Sequence, residues 1–184
     1  MEQKTKLRAD AQQNRERIIA AAEEVFMEQG NATSLEAVAK RAGVGIGTLY
    51  RRFATRDALL AAAYSDRLLA IAQTFREGMG QLDARSALRA YVEDMVTHIN
   101  IYEGLAASIG MVLQSGTPGC QAVGEVGAIL LGRAQQCGAV RADVAYTDLV
   151  YIITAISLAI EQERASPARI AHLVSIFFEG VYSK

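Results

Sequence analysis

Two adjacent arginines, Arg51 and Arg52, follow Thr48 and Tyr50 within the run VGIGTLYRRF. Guanidinium groups clasp phosphate, hydroxyls and phenols bind phosphates or base edges, and an exposed isoleucine such as Ile46 can meet a thymine methyl. On a helix of about two turns, Val44, Leu49 and Phe53 can point back into a core, leaving Ile46, Thr48, Tyr50, Arg51 and Arg52 near or on the outward side. The chemistry this offers is contact with nucleic acid, chiefly through phosphates; the alternative for Ile46 is simple core packing.

Gly43, Gly45 and Gly47 alternate in the same stretch and imitate a phosphate loop. A nucleotide-binding loop requires a preceding strand, and a P-loop a Lys-Ser/Thr ending; neither is present. Gly43 instead suits the tight corner of a helix-turn-helix.

The elements that must position this corner read as helices. Ile18, Ala22, Val25 and Phe26 recur at helical spacing from about Asn14 to Gln29, with Gly30 as a stop, and the polar Met1–Gln13 reads as a flexible arm. Thr33 and Glu36 form a capping-box pattern ahead of the stripe Leu35, Val38, Ala39 and Ala42. Thr55 can cap a long helix from Arg56 to about Gly78, which begins beside the corner and ends elsewhere, so it can transmit a tilt.

Further helices follow from Ala84 to about Tyr102, Gly104 to Gln114, Cys120 to Cys137, Tyr146 to Glu163, and Ser166–Pro167 to about Tyr182. Gly124, Gly127 and Gly132 inside one of them imply close packing or a deformable place. With no alternating β-branched run, the expected fold is all-α: a head at 1–56 and a helical body at 57–184 for ligand binding and dimerisation.

The charge is divided unevenly. Residues 1–56 hold ten Lys/Arg against seven Asp/Glu, and residues 57–184 nine against thirteen, so a net charge of -1 conceals a basic head on an acidic body. Cys120 and Cys137, and the lone His98 and His172, have no metal-site or disulfide-scaffold spacing, and no cofactor is expected. The start of the chain lacks a signal-peptide core, and the apolar run Leu149–Ile160 falls short of the ~20 residues that span a bilayer, so the expectation is a cytoplasmic protein with no membrane partner. No nucleophile–base pair or paired carboxylates stand out, which argues against an enzyme or a helical small-molecule carrier.

The run from Ile18 through Leu60, with AAEEVFMEQG, TSLEAVAKRAGVGIGTLYRRF and TRDALL, resembles the amino-terminal domain of TetR-family transcriptional regulators. The resemblance spans three helices and the start of a fourth without a gap; beyond it the likeness is one of size and helical character. It implies that Ile46, Gly47, Thr48, Tyr50, Arg51 and Arg52 lie on a recognition helix, that Arg56 holds a phosphate, and that Thr33 abuts the DNA backbone. Gly45 and Ile46 stand where many members carry polar base readers, so direct readout is thin and DNA shape carries selectivity.

A ligand-responsive repressor is the expected function, released by a small, largely apolar effector. Its partners would be a palindromic double-stranded operator and a second copy of itself. The expected pocket lining is Phe75, Met79, Met95, His98, Ile99, Tyr102, Met111 and Leu113, because aromatic and Met side chains with a few polar atoms make mostly apolar pockets. The expected dimer surface is Ile152, Ile153, Ile156 and Ile160 with Leu173, Ile176, Phe177 and Val181, more apolar surface than one neighbour could cover. An inducer-independent DNA-binding dimer is the alternative; a fully packed body would favour it.

Overall fold

Continuous 3.6-residue periodicity without strand alternation yields an all-α chain. The computed structural model describes residues 2–101, 105–113, 115–161, 163 and 165–181, with backbone alone at 2–9, 31 and 181. Among them lie α1 (Glu2–Gln29), a 3-10 turn (Gly30–Ala32), α2 (Leu35–Ala42), α3 (Ile46–Arg52), α4 (Arg56–Gly78), α5 (Ala84–Ile99), α6 (Leu105–Leu113), α7 (Pro118–Gln136), α8 (Tyr146–Glu161) and α9 (Pro167–Val181).

Local chemistry sets most of these ends. Side chains of Thr55, Asp83, Thr117 and Ser166 accept from the backbone N–H three residues on, closing free donors at the starts of α4, α5, α7 and α9. Pro118 and Pro167 occupy first helical positions, where a missing N–H costs nothing. Gly43 ends α2 at φ +64, a left-handed conformation that side chains resist, and Arg17 donates to the Ala42 carbonyl at 2.6 Å beside it.

Several expected boundaries move. α1 starts at Glu2, so the segment read as a flexible arm is helical through Gln13. Ser34, not Thr33, caps α2: its hydroxyl accepts from Ala37 N at 3.1 Å, while Thr33 turns inward. α7 begins two residues earlier than read because Thr117 and Pro118 supply a cap and a first residue. α8 ends at Glu161 and α5 at Ile99; Tyr102, Gly104, Gln114 and Tyr182 lie outside the described residues.

One core runs through the molecule. Ile18, Ala22, Val25 and Phe26 of α1 meet Val38 and Ala42 of α2, Leu49 of α3, and Phe53, and the cluster continues along Leu59, Leu60 and Leu68 of α4 into the body. α4 packs on α1 at its start and on α6 and α7 further along, and α5 packs on α7, α8 and α9. The helix leaving the head is therefore the spine of the body.

Two glycines of α7 permit very close approaches. A Cβ on Gly119 would lie 2.1 Å from the Ser65 carbonyl oxygen of α4, and one on Gly127 would lie 2.3 Å from the Tyr146 ring and 2.9 Å from the Tyr91 hydroxyl. Gly124 leaves ordinary space beside Tyr146, and Gly132 meets nothing within 4 Å. Of the three glycines singled out from sequence, only Gly127 is a close-packing position.

Candidate functional site

α3 separates its side chains as an amphipathic helix anchored by one residue. Leu49 is fully buried and Phe53 nearly so, whereas Tyr50 is 48% exposed and Ile46 38%, with Gly47, Arg51 and Arg52 also exposed and Thr48 half-buried. Ile46 is therefore outside the core. Arg51 donates to the Thr48 hydroxyl at 3.1 Å, which pre-orients its guanidinium along the outer face.

Two residues implied as phosphate contacts have partners within the fold. Thr33 is only 6% exposed and donates to the Val25 carbonyl at 3.2 Å, so it braces α1 and offers no hydroxyl to DNA. Arg56, half-buried, donates to the Gly30 carbonyl at 3.3 Å and lies 5.1 Å over the Phe26 ring. It clamps the start of α4 to the end of α1 through one nitrogen, leaving its other N–H donors for a phosphate. Arg41 is similarly committed, to Glu24 and Glu28 at 2.9 and 2.7 Å.

The expected pocket residues are dispersed. Met95, His98 and Ile99 line a narrow cavity with Arg67 of α4 and Leu105 and Ile109 of α6; Phe75 and Met79 border a depression with Leu82 and Leu130. Met111 is 64% exposed, because it lies on the side of α6 opposite the buried Ile109 and Val112, and it borders neither of these cavities nor the cleft that α6 forms with α7 and α8. Among the described residues of the expected lining, only Leu113 borders the cleft of about 140 Å³ between α6, α7 and α8.

That cleft is bounded by Cys120 and Gly124 of α7 and by Tyr146, Thr147, Val150 and Tyr151 of α8. Behind Tyr146, its hydroxyl lies 3.1 Å from that of the buried Tyr91, which donates to the Val123 carbonyl at 3.0 Å. Burial raises both phenols above their ordinary value, Tyr91 well above it with Tyr146 adding to the rise, so the pair stays protonated near neutrality. The Cys120 thiol donates to the Val112 carbonyl at 2.9 Å. Sequence reading missed this wall: one tyrosine at a helix start and a glycine on the neighbouring helix carry no pocket signal until the helices are packed.

On the outer side of α8 and α9 the expected dimer residues divide. Ile153, Ile156 and Ile160 are buried in the protomer's own core, where α8 meets α5 and α6, and so do not form a surface. The exposed face carries Tyr151, Ala155, Leu158 and Ala159 of α8 and Ile176 of α9, with Ile152, Leu173 and Phe177 half-buried. The Val181 side chain lies outside what is described.

A helix-turn-helix whose second helix keeps an aromatic and two arginines outside the core, carried on a larger helical body, defines a DNA-binding transcriptional regulator. Residues 18–63 match the family described as bacterial regulatory proteins, tetR family, and residues 83–183 match the transcriptional regulator SbtR-like C-terminal domain. The chain belongs to the TetR family. It is 31% identical to the TetR regulator SCO0520 of Streptomyces coelicolor, over 92% of this chain and 99% of that one, with a TM-score of 0.57.

An HTH-type transcriptional regulator of Staphylococcus aureus (strain USA300) is 43% identical over 54 residues, which is 29% of each protein. RolR in complex with resorcinol shares the fold, with a TM-score of 0.74 at 17% identity over 96% of this chain and 91% of that one. Among the described residues no helix is long and apolar enough to cross a membrane.

Proposed function

We propose that this protein is a homodimeric, ligand-responsive repressor, released from a palindromic duplex operator by a small, largely apolar effector, and that it acts in the cytoplasm. The observation that carries the DNA half is the division of α3: Leu49 holds the helix down while Tyr50, Arg51, Arg52 and Ile46 are left outside and Thr48 is half-buried. Two copies paired through the α8–α9 face would set two such helices into successive major grooves, about 34–36 Å apart. Residues 1–56 then form the head and 57–184 the body, joined by α4.

The cleft between α6, α7 and α8, walled by aromatic and apolar side chains, favours an effector over control by a partner protein alone. A route to the head exists: the first turn of α7 rests on α4, with Gly119 N–H donating to the Ser65 hydroxyl at 3.0 Å. An effector that displaces α7 would tilt α4 and alter head spacing, lowering DNA affinity to the extent that it prefers that state. RolR, similar in fold, was crystallised with the small phenol resorcinol, which is consistent with a body that takes small molecules.

The test is binding of the purified protein to DNA from its own gene neighbourhood across a salt series, beside the double variant Tyr50→Ala, Arg52→Ala. Salt-sensitive, sequence-selective binding that disappears in the folded double variant supports the reading. Undiminished binding by that variant overturns it.

A further inference from the structure

We infer that the cleft between α6, α7 and α8 takes an uncharged, largely aromatic molecule that carries a hydrogen-bond donor, such as a phenol or aromatic alcohol, and that the donor is given to the phenolic oxygen of Tyr146. The inference rests on the effector reading of this cleft and specifies the chemistry it selects.

Where the protons can go decides what this wall offers a ligand. The Val123 carbonyl can only accept, so the Tyr91 hydroxyl, 3.0 Å away, must donate to it. With its single proton committed, Tyr91 can only accept from Tyr146 across their 3.1 Å contact. Tyr146 therefore spends its own proton on Tyr91 and shows the cleft only an oxygen lone pair. Cys120 likewise gives its thiol proton to the Val112 carbonyl at 2.9 Å, and its sulfur accepts from the Ser115 hydroxyl at 3.5 Å, so it has no proton for a ligand either. The inner wall is an acceptor wall, and a ligand that brings another acceptor to it leaves both groups unsatisfied.

Charge and shape narrow the class further. Among the described residues no lysine, arginine or histidine lines the cleft, so a carboxylate or phosphate finds no cationic partner on these walls and would be desolvated there. The walls are the rings of Tyr146 and Tyr151 with Val150 and Leu113, and a Cβ on Gly124 would stand 3.9 Å from the Tyr146 ring, so the floor beside Tyr146 is flat and free of side chain. A planar ring with a peripheral O–H fits these walls. Thr147 and Tyr151 at the exposed mouth keep rotatable hydroxyls and impose no such restriction.

The test uses the full chain and three probes of one shape: 2-naphthol, 2-methoxynaphthalene and 2-naphthoate. Affinities are read by calorimetry or by naphthol fluorescence, and release of bound DNA is followed in the same samples. Naphthol is expected to bind at least about tenfold more tightly than its methyl ether, with naphthoate weaker still. Tyr146→Phe should reduce naphthol to the affinity of the ether while leaving the ether unchanged.

Tyr91→Phe provides a readout that a purely structural role for the pair would not move. It frees the Tyr146 proton to turn toward the cleft, so the ether should gain affinity and the naphthol preference should shrink. Thermal melts check that each variant is folded; if Tyr91→Phe is not, the Tyr146→Phe comparison decides alone. Equal binding of naphthol and ether by the wild type, tightest binding of naphthoate, no binding of naphthol, or a preference that survives in Tyr146→Phe would each overturn the inference. DNA release without donor preference would refute the ligand chemistry and leave the effector reading standing. Donor-selective binding without DNA release would do the reverse.

Discussion

Gly119→Ala should place a wedge between the body and the helix that carries the DNA-binding head. The added methyl would start 2.1 Å from the Ser65 carbonyl oxygen and within 2.8 Å of two more backbone atoms of α4, where ordinary contact begins at 3.4 Å. Backbone cannot rotate aside as a side-chain tip can, so α7 and α4 must separate by about an ångström. The cost is overpacking of about 1–3 kcal/mol plus about 1 kcal/mol for the strained Gly119–Ser65 hydrogen bond, offset by about 0.5–1 kcal/mol from replacing a helical glycine. A net loss of roughly 1–3 kcal/mol corresponds to a melting temperature lowered by roughly 3–10 °C in a chain of this size.

Differential scanning calorimetry reads this directly, with Gly124→Ala as the control. At Gly124 the new methyl would meet Tyr146 at 3.9 Å, so that variant should melt at or slightly above the wild-type temperature. Well below its melting point, Gly119→Ala should also bind operator DNA more weakly, on the order of tenfold, a typical coupling between sites. A Gly119→Ala protein that melts with the wild type would refute the idea that α4 and α7 are held at glycine distance.

Gly127→Ala pushes into both members of the tyrosine pair and should destabilise the chain by about 2 kcal/mol, read as a lower urea midpoint. Ile176→Glu, on the exposed face of α9, should shift the protein from dimer to monomer in sedimentation equilibrium without unfolding it; a dimer that persists would move the interface elsewhere. His98 is held above its ordinary 6.5 chiefly by its hydrogen bond to Asp94, against desolvation and the nearby Arg67. Because the folded value is the higher one, this stabilisation is complete below about pH 6.5 and is lost as pH rises through the folded value. Wild-type urea midpoints should thus decline across that window relative to His98→Gln, and parallel profiles would contradict the assignment.

Where one residue type at one spacing has a single physical use, the fold was legible. Gly43 as a left-handed corner, Thr55 as a cap and Ser166–Pro167 as a helix start all stand as expected, because each closes a backbone group or sets a dihedral locally. Thr33 departs from its expected capping role for an equally local reason. Two hydroxyls stand side by side at Thr33 and Ser34, and only packing against the Val25 carbonyl decides which turns inward.

On α8, Ile153, Ile156 and Ile160 and the exposed Tyr151 and Leu158 are all apolar, so composition marks the helix as wanting two partners without saying which face takes which. Periodicity cannot divide a helix that is apolar nearly all round. The cleft was the least legible feature, since it arises from a glycine on α7 facing the first turn of α8, a relation between elements distant in sequence. Met111 illustrates the converse: a pocket-like residue type turned to solvent by the register of its helix.

The salt dependence of DNA binding tests the central claim most directly. Arg51 and Arg52 are exposed, so Arg51→Ala, Arg52→Ala should leave the melting temperature unchanged while removing two phosphate contacts from each of two protomers. At about 0.9 per contact, the slope of log K against log salt should become shallower by about 3–4 in the variant. An unchanged slope in a folded variant would contradict the account, because α3 would then not be the surface that holds the DNA.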